Sequence, residues 1–165
     1  LDEEEEESML DQVELLRLIE AQYHKPYNRR AWTVADLYSK SPENFDCSSL
    51  VMWLYFQFGY KLPRVSQDQY TFCDKIKAKD IKIGDLFFLS KTQDPKRIDH
   101  VGMYKGSGML VEAVGGSSVT MKVIYSIADK TMARTDWVGW GRVPLDIAED
   151  RFFKWIKSYP APIKT

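Results

Sequence analysis

The sequence predicts an α+β fold, and three observations carry that expectation. Two helical patterns come first, at residues 8–23 and 46–58. Five short β-like runs punctuated by glycine follow, over 85–90, 100–106, 109–115, 118–126 and 137–145. Helices gathered ahead of strands favour an antiparallel sheet of about five strands with the N-terminal helices packed on it. At 165 residues, 44% hydrophobic and 13% aromatic, the chain is long enough to bury one sizeable core, so one compact domain is expected.

In chain order, DEEEEES (2–8) is a like-charge run, read as part of a solvated acidic arm over residues 1–8. Met9, Val13, Leu16, Ile19 and Tyr23 then recur at spacings of four, three, three and four. That spacing lays one apolar face along about four helical turns, with Ser8 as N-cap. Pro26 ends the helix. Residues 25–44, KPYNRRAWTVADLYSKSPEN, read as a long loop with one helical turn, of a length that tends to carry function. Asp46 is placed to cap a second helix running to about Phe58, and Gly59 falls where a left-handed C-terminal cap is wanted. LVMWLYFQF is apolar round most of that helix, so it belongs in the core. No element is assigned to KLPRVSQDQY or the charged stretch after it. Residues 147–165 read as a short amphipathic helix and a proline-broken tail, leaving 9–146 as the folded domain.

Composition removes several function classes. With 23 basic and 24 acidic residues the formal charge is −1, so no overall field directs the chain to nucleic acid or an anionic membrane. No apolar run approaches the roughly 18–20 residues of a membrane span, and the N-terminus has neither the basic nor the apolar part of an export signal. A chain that begins with leucine is read as a mature or trimmed form, consistent with a signal already removed. Two cysteines, Cys47 and Cys73, and two histidines, His24 and His100, exclude a disulfide-dense scaffold and every four-cysteine zinc arrangement. With no HExxH or CxxC spacing, neither metal nor cofactor is expected; a Cys47–Cys73 bridge stays open.

Cys47 is a core residue, half of a disulfide or a nucleophile, and its position favours the last. It opens a helix, where unpaired N–H groups and the positive end of the macrodipole stabilise a thiolate and can also receive an oxyanion. Of the two candidate bases, His24 reads as an exposed helix-end residue. His100 begins the run HVGMYKG, on which His100, Gly102 and Tyr104 share a face. A hairpin centred on Gly106 sets His100 opposite Glu112, with Cβ atoms roughly 4.5–5.5 Å apart, near enough for a carboxylate to orient the imidazole. A tight turn on Ser107-Gly108 instead sets His100 across from Gly115.

Five blocks in order resemble the NlpC/P60 family of cysteine peptidases: Pro26-Tyr27, DCSSLV (46–51), LPRVSQDQY (62–70), GDLFFL (84–89) and HVGMYKGSGMLVEA (100–113). The resemblance covers about residues 10–145. It implies a papain-like core in which Cys47 attacks an amide carbonyl, His100 serves as base and then acid, and Glu112 orients His100. It also implies that the substrates are peptidoglycan stem peptides, cut between D-γ-glutamate and the following diamino acid, outside the cytoplasm. Tyr27 would line the site and help the oxyanion, Asp46 would meet a substrate amine, Ser48 would bind the glutamyl carboxylate, and Ser66 matches the LPR-S block beside Arg64, which reads as structural. An amidase or acyl-transfer enzyme of the same fold on a non-wall substrate, or a wall-peptide-binding module without activity, are the alternatives. The chain departs from the family pattern where DCSG reads DCSS, introducing Ser49, and where PYVWGG reads PYNRRAW in a longer loop between Tyr27 and Cys47.

Overall fold

The computed structural model describes residues 3–29, 33–115 and 121–145. Four helices come first: α1 (Glu3–Gln22), the single turn α2 (Val34–Leu37), α3 (Cys47–Phe56) and α4 (Ser66–Phe72). The strands are β1 (Asp74–Ile76), β2 (Leu86–Leu89), β3 (His100–Gly106), β4 (Met109–Val114), β5 (Lys122–Ile127) and β6 (Trp137–Arg142), with α5 (Ala128–Met132) between the last two. Among the described residues they form one antiparallel sheet in the order β1-β6-β2-β3-β4-β5. The α+β expectation holds with one strand more than expected. The added strand, β1, is three residues long with two exposed, too short and polar to show an alternation, and its pairing with β6 fixes it at the sheet edge. The expected C-terminal helix and tail, and the first residues of the strand expected over 118–126, lie outside the described residues.

The first helix begins at Glu3, so Ser8 lies within it and not at its N-cap position. Glutamate is a good helix former, and anionic residues suit the positive end of the dipole, so the acidic run extends the helix instead of preceding it. Its buried face also differs from the expected one. Leu15, Ile19 and Gln22 are buried, whereas Val13 is 74% and Tyr23 41% exposed. Tyr23 stacks instead on Tyr125 at the surface. The helix stops short of Pro26 because His24 takes a left-handed backbone (φ 71°), and Pro26 and Tyr27 then make isolated bridges to Lys122 and Phe45.

Helix α3 is buried from Ser48 to Leu54, which is why its sequence is apolar all round. It lies on the face of the sheet formed by Leu86, Phe88, Val101, Met103, Val111, Ala113 and Val123. The opposite face carries Phe87, Leu89, Leu110 and Trp140, covered by Ala128 of α5. Cover on both faces explains why LFFL of β2 is buried at every position instead of alternating.

The β3–β4 hairpin departs from the register centred on Gly106. Gly106 pairs with Met109 across a Ser107-Gly108 turn, and a bulge that absorbs Lys105 resets the pairing to Tyr104 with Leu110 and Met103 with Val111. The turn is favoured because Ser107 and Gly108 both adopt positive φ, the conformation that follows strand twist in a two-residue loop. Continuing this register sets Gly102, not His100, across from Glu112. His100 and Glu112 therefore share a face as diagonal neighbours, a spacing that long side chains can bridge.

Candidate active site

The first turn of α3 is held from both ends of Asp46. Its Oδ1 accepts the Ser49 backbone N–H at 2.8 Å, while its own N–H donates to Ser49 Oγ at 2.8 Å. This reciprocal cap gives the serine that replaces the family's glycine a structural use. Arg64 Nη2 approaches Asp46 Oδ2 at 2.6 Å, and its Nη1 donates to Ser48 Oγ at 2.8 Å. With the Ser49 N–H on the Asp46 side chain and that of Leu50 on the Asp46 carbonyl (3.2 Å), the N–H groups of Cys47 and Ser48 remain without an intrahelical acceptor. The cap thus leaves two backbone donors at the N-terminus of the helix that Cys47 opens.

His100 stands between the thiol and a carboxylate. Its Nε2 lies 3.1 Å from Glu112 Oε1, which leaves Nδ1 as the ring nitrogen for its interaction with Cys47. The imidazole is backed by the Phe87 ring, centroids 5.9 Å apart. Phe87 can sit there only because residue 102 is glycine: a Cβ on Gly102 would fall 2.3 Å from Phe87 Cε1 and 2.8 Å from the Val111 carbonyl oxygen. The second oxygen of Glu112 accepts from Ser126 Oγ at 2.6 Å. Arg134, paired with Asp136 at 2.9 Å, adds positive potential toward Glu112.

These contacts decide the charges. Burial pulls the His100 pKa down, but its hydrogen bonds to Cys47 and Glu112 and their negative charge outweigh that and raise it to about 10. Burial likewise works against the Glu112 carboxylate, and the bonds from His100 and Ser126 overcome it, holding its pKa below the ordinary value. At neutral pH His100 is therefore an imidazolium held beside the Glu112 carboxylate.

The other sequence-predicted site residues fall in two groups. Tyr27 is half-buried near Cys47; burial first, then the charge of Cys47, keeps its phenol above the ordinary pKa. Asp46 and Ser48 are 6% and 5% exposed and are engaged with each other and with Arg64. Ser66 Oγ donates to the Ile98 carbonyl at 3.3 Å, tying the start of α4 to the loop that leads into His100. No disulfide joins Cys47 and Cys73; the latter is a buried core residue. Sequence reasoning missed Ser126 and Arg134. Ser126 was within reach of a register argument, since β4–β5 pairing puts it on the face of Glu112; Arg134 carries no signal of its own in the sequence. Among the described residues no group of three His, Cys, Asp or Glu is placed to hold a metal ion.

The sequence model of the NlpC/P60 family matches residues 36–138. The chain is 36% identical over 104 residues to the bifunctional muramidase/DL-endopeptidase CwlT of Bacillus subtilis, covering 62% of this chain and 30% of that protein. NlpC2 from Trichomonas vaginalis is similar in structure at a TM-score of 0.63 and 26% identity, covering 80% of this chain and 46% of that one. The peptidoglycan hydrolase RipB from Mycobacterium tuberculosis is similar at 0.62 and 25% identity, covering 82% and 65% respectively. The chain spans less than a third of the length of CwlT and less than two thirds of either solved chain.

Proposed function

The chain belongs to the NlpC/P60 family, and from that premise we propose that it is a cysteine endopeptidase hydrolysing peptidoglycan stem peptides between D-γ-glutamate and the following diamino acid. The observation that carries this reading is His100 held between Cys47 and Glu112 at the start of α3. A relative named DL-endopeptidase and a structural neighbour named peptidoglycan hydrolase support the substrate class.

The Cys47 thiolate attacks the γ-carbonyl carbon, and the charge moves to the carbonyl oxygen, which the N–H groups of Cys47 and Ser48 and the Tyr27 hydroxyl stabilise. His100 gives its Nδ1 proton to the departing amine as the C–N bond breaks, leaving a thioester on Cys47. Water then attacks with neutral His100 as base, releasing the γ-carboxylate and restoring the thiolate. Glu112 holds His100 in this orientation throughout and favours its charged form. Asp46, Ser48 and Ser66 are assigned to the substrate-side wall, with Asp46 assigned to meet a substrate amine. No metal or cofactor enters these steps, and the reaction belongs outside the cytoplasm, where the polymer is. Among the described residues no helix is long and apolar enough to cross a membrane.

Mass spectrometry of purified stem peptides after incubation, beside Cys47→Ala, tests the reading. Loss of the γ-D-glutamyl to diamino-acid bond with the unsubstituted chain only is the expected result. No cleavage by folded protein with Cys47 reduced would overturn it in favour of a non-wall acyl substrate or a binding role.

A further inference from the structure

Glu112 is 5% exposed, and a carboxylate so deeply buried needs donors to keep its charge. Its Oε1 faces His100 Nε2 at 3.1 Å, and its Oε2 accepts from Ser126 Oγ at 2.6 Å. The β4–β5 register sets this second bond. Ile124 lies opposite Glu112 and Leu110 opposite Ser126, which makes Ser126 the diagonal neighbour of Glu112 on the same face of the sheet. The Ala128 N–H, donating to the Gly108 carbonyl at 2.9 Å, secures the backbone just past Ser126. Arg134 also adds positive potential toward Glu112. It is tied to Asp136 by two bonds of 2.9 Å and its side chain is 52% exposed, so solvent screens that effect.

His100 and Ser126 differ as partners during turnover. His100 gives its Nδ1 proton to the departing amine and is neutral while the acyl group sits on Cys47, whereas Ser126 stays a neutral donor in every stage. In a neutral imidazole one nitrogen carries the proton and the other accepts. An ionised Glu112 can only accept, which keeps the ring proton on Nε2 and leaves the Nδ1 lone pair to take a proton from the attacking water. A protonated Glu112 would donate to Nε2 and shift the ring proton to Nδ1, where His100 is no base. The Ser126 hydroxyl, donating to Oε2, disfavours that form when the imidazolium no longer does. We propose that Ser126 is a positioning residue of this active site, holding Glu112 as an acceptor through the thioester stage and with it the Nε2–H tautomer of His100. The proposal rests on the peptidase reading for its thioester and on the Ser126–Glu112 bond for its contact, and the two parts separate in experiment.

The contact is tested without substrate by following the Glu112 carboxyl carbon by NMR through an acid titration. The hydroxyl favours the carboxylate, so Ser126→Ala is expected to move the Glu112 titration to higher pH. Ser126→Thr keeps a hydroxyl and suits a strand, and should leave the titration near its native place. An unchanged midpoint in Ser126→Ala overturns the proposal whatever the protein cleaves. The stage is tested by loading Cys47 from an activated ester of a stem peptide's γ-glutamyl carboxyl and following decay of the thioester by rapid quench and mass spectrometry. Ser126→Ala is expected to slow that decay about tenfold, with Ser126→Thr recovering most of the loss. Loading, which starts from charged His100, should be little changed. Decay at the native rate overturns the proposal, and so does loading slowed as much as decay, which would make Ser126 a support of the whole site. A thioester that never forms on the unsubstituted chain overturns the stage together with the peptidase reading, and a moved Glu112 titration then separates that failure from a failure of the bond.

Discussion

Glu112→Gln keeps the shape of the acid and removes its charge, which isolates what the carboxylate does for His100. In the native site Oε1 lies 3.1 Å from His100 Nε2 and Oε2 2.6 Å from Ser126 Oγ. A glutamine still offers its carbonyl oxygen to the ring N–H, and the Ser126 hydroxyl can rotate to accept from the amide. What is lost is the charge-assisted part of the His100 bond, about 1–2 kcal/mol from the difference between neutral and charged hydrogen bonds. At 1.36 kcal/mol per pH unit this lowers the His100 pKa by about one unit from its position near 10. The same energy withdrawn from the transition state lowers kcat/KM about tenfold. The assay is kcat/KM on a synthetic stem peptide between about pH 5 and 11, where the alkaline limb reports loss of the imidazolium proton. The limb should move toward neutrality with the drop in rate. An alkaline limb in its original place, with kcat/KM unchanged, would refute the claim that Glu112 sets the charge of His100.

Gly102→Ala forces a Cβ to within 2.3 Å of the Phe87 ring and 2.8 Å of the Val111 carbonyl, so overpacking of about 1–3 kcal/mol is expected. At this chain size that is a Tm lower by roughly 2–4 °C per kcal/mol in a thermal melt. Arg64→Met strands the Asp46 carboxylate, whose side chain is only 9% exposed, and urea unfolding should show a loss of about 3–5 kcal/mol. For the His100–Glu112 pair the pH window follows from both signs. The Glu112 pKa is lowered, so its contribution is present above the ordinary 4.5 and lost in acid; the His100 pKa is raised, so its contribution is full below the ordinary 6.5 and lost on the way to about 10. Urea unfolding of the unsubstituted chain and of Glu112→Gln should therefore differ most between about pH 4.5 and 6.5.

Local patterns made much of this fold legible. The cap at Asp46, the apolar girth of α3, the one-turn helix inside the 25–44 loop and five strands each express themselves within a few residues of sequence. The short elements β1, α4 and α5 did not, because three to seven mostly polar residues show no period and owe their form to what they pack against. The face of α1 was misplaced for a related reason: Val13 and Tyr23 are apolar yet find no core, while the polar Gln22 is buried and donates to the Leu18 carbonyl at 2.8 Å. The pairing of His100 with Glu112 survived a register that did not form. A strand keeps a residue's face when the register slips by two, so the slip turned directly opposed partners into diagonal ones without separating them. Ser126 and Arg134 reach the site through tertiary approach, from β5 and from the turn before β6. A β4–β5 register argument could have found Ser126, but nothing in the neighbourhood of Arg134 announces its approach.

The account rests on Cys47 as the nucleophile, and alkylation tests it most directly. Iodoacetamide is added at pH 6, the modified residue is located by peptide mapping, and stem-peptide cleavage is followed in the same samples. Modification of Cys47 at a pH where an ordinary thiol is nearly inert, with cleavage lost in proportion, is the predicted result. Cleavage that persists after Cys47 is fully alkylated would contradict it.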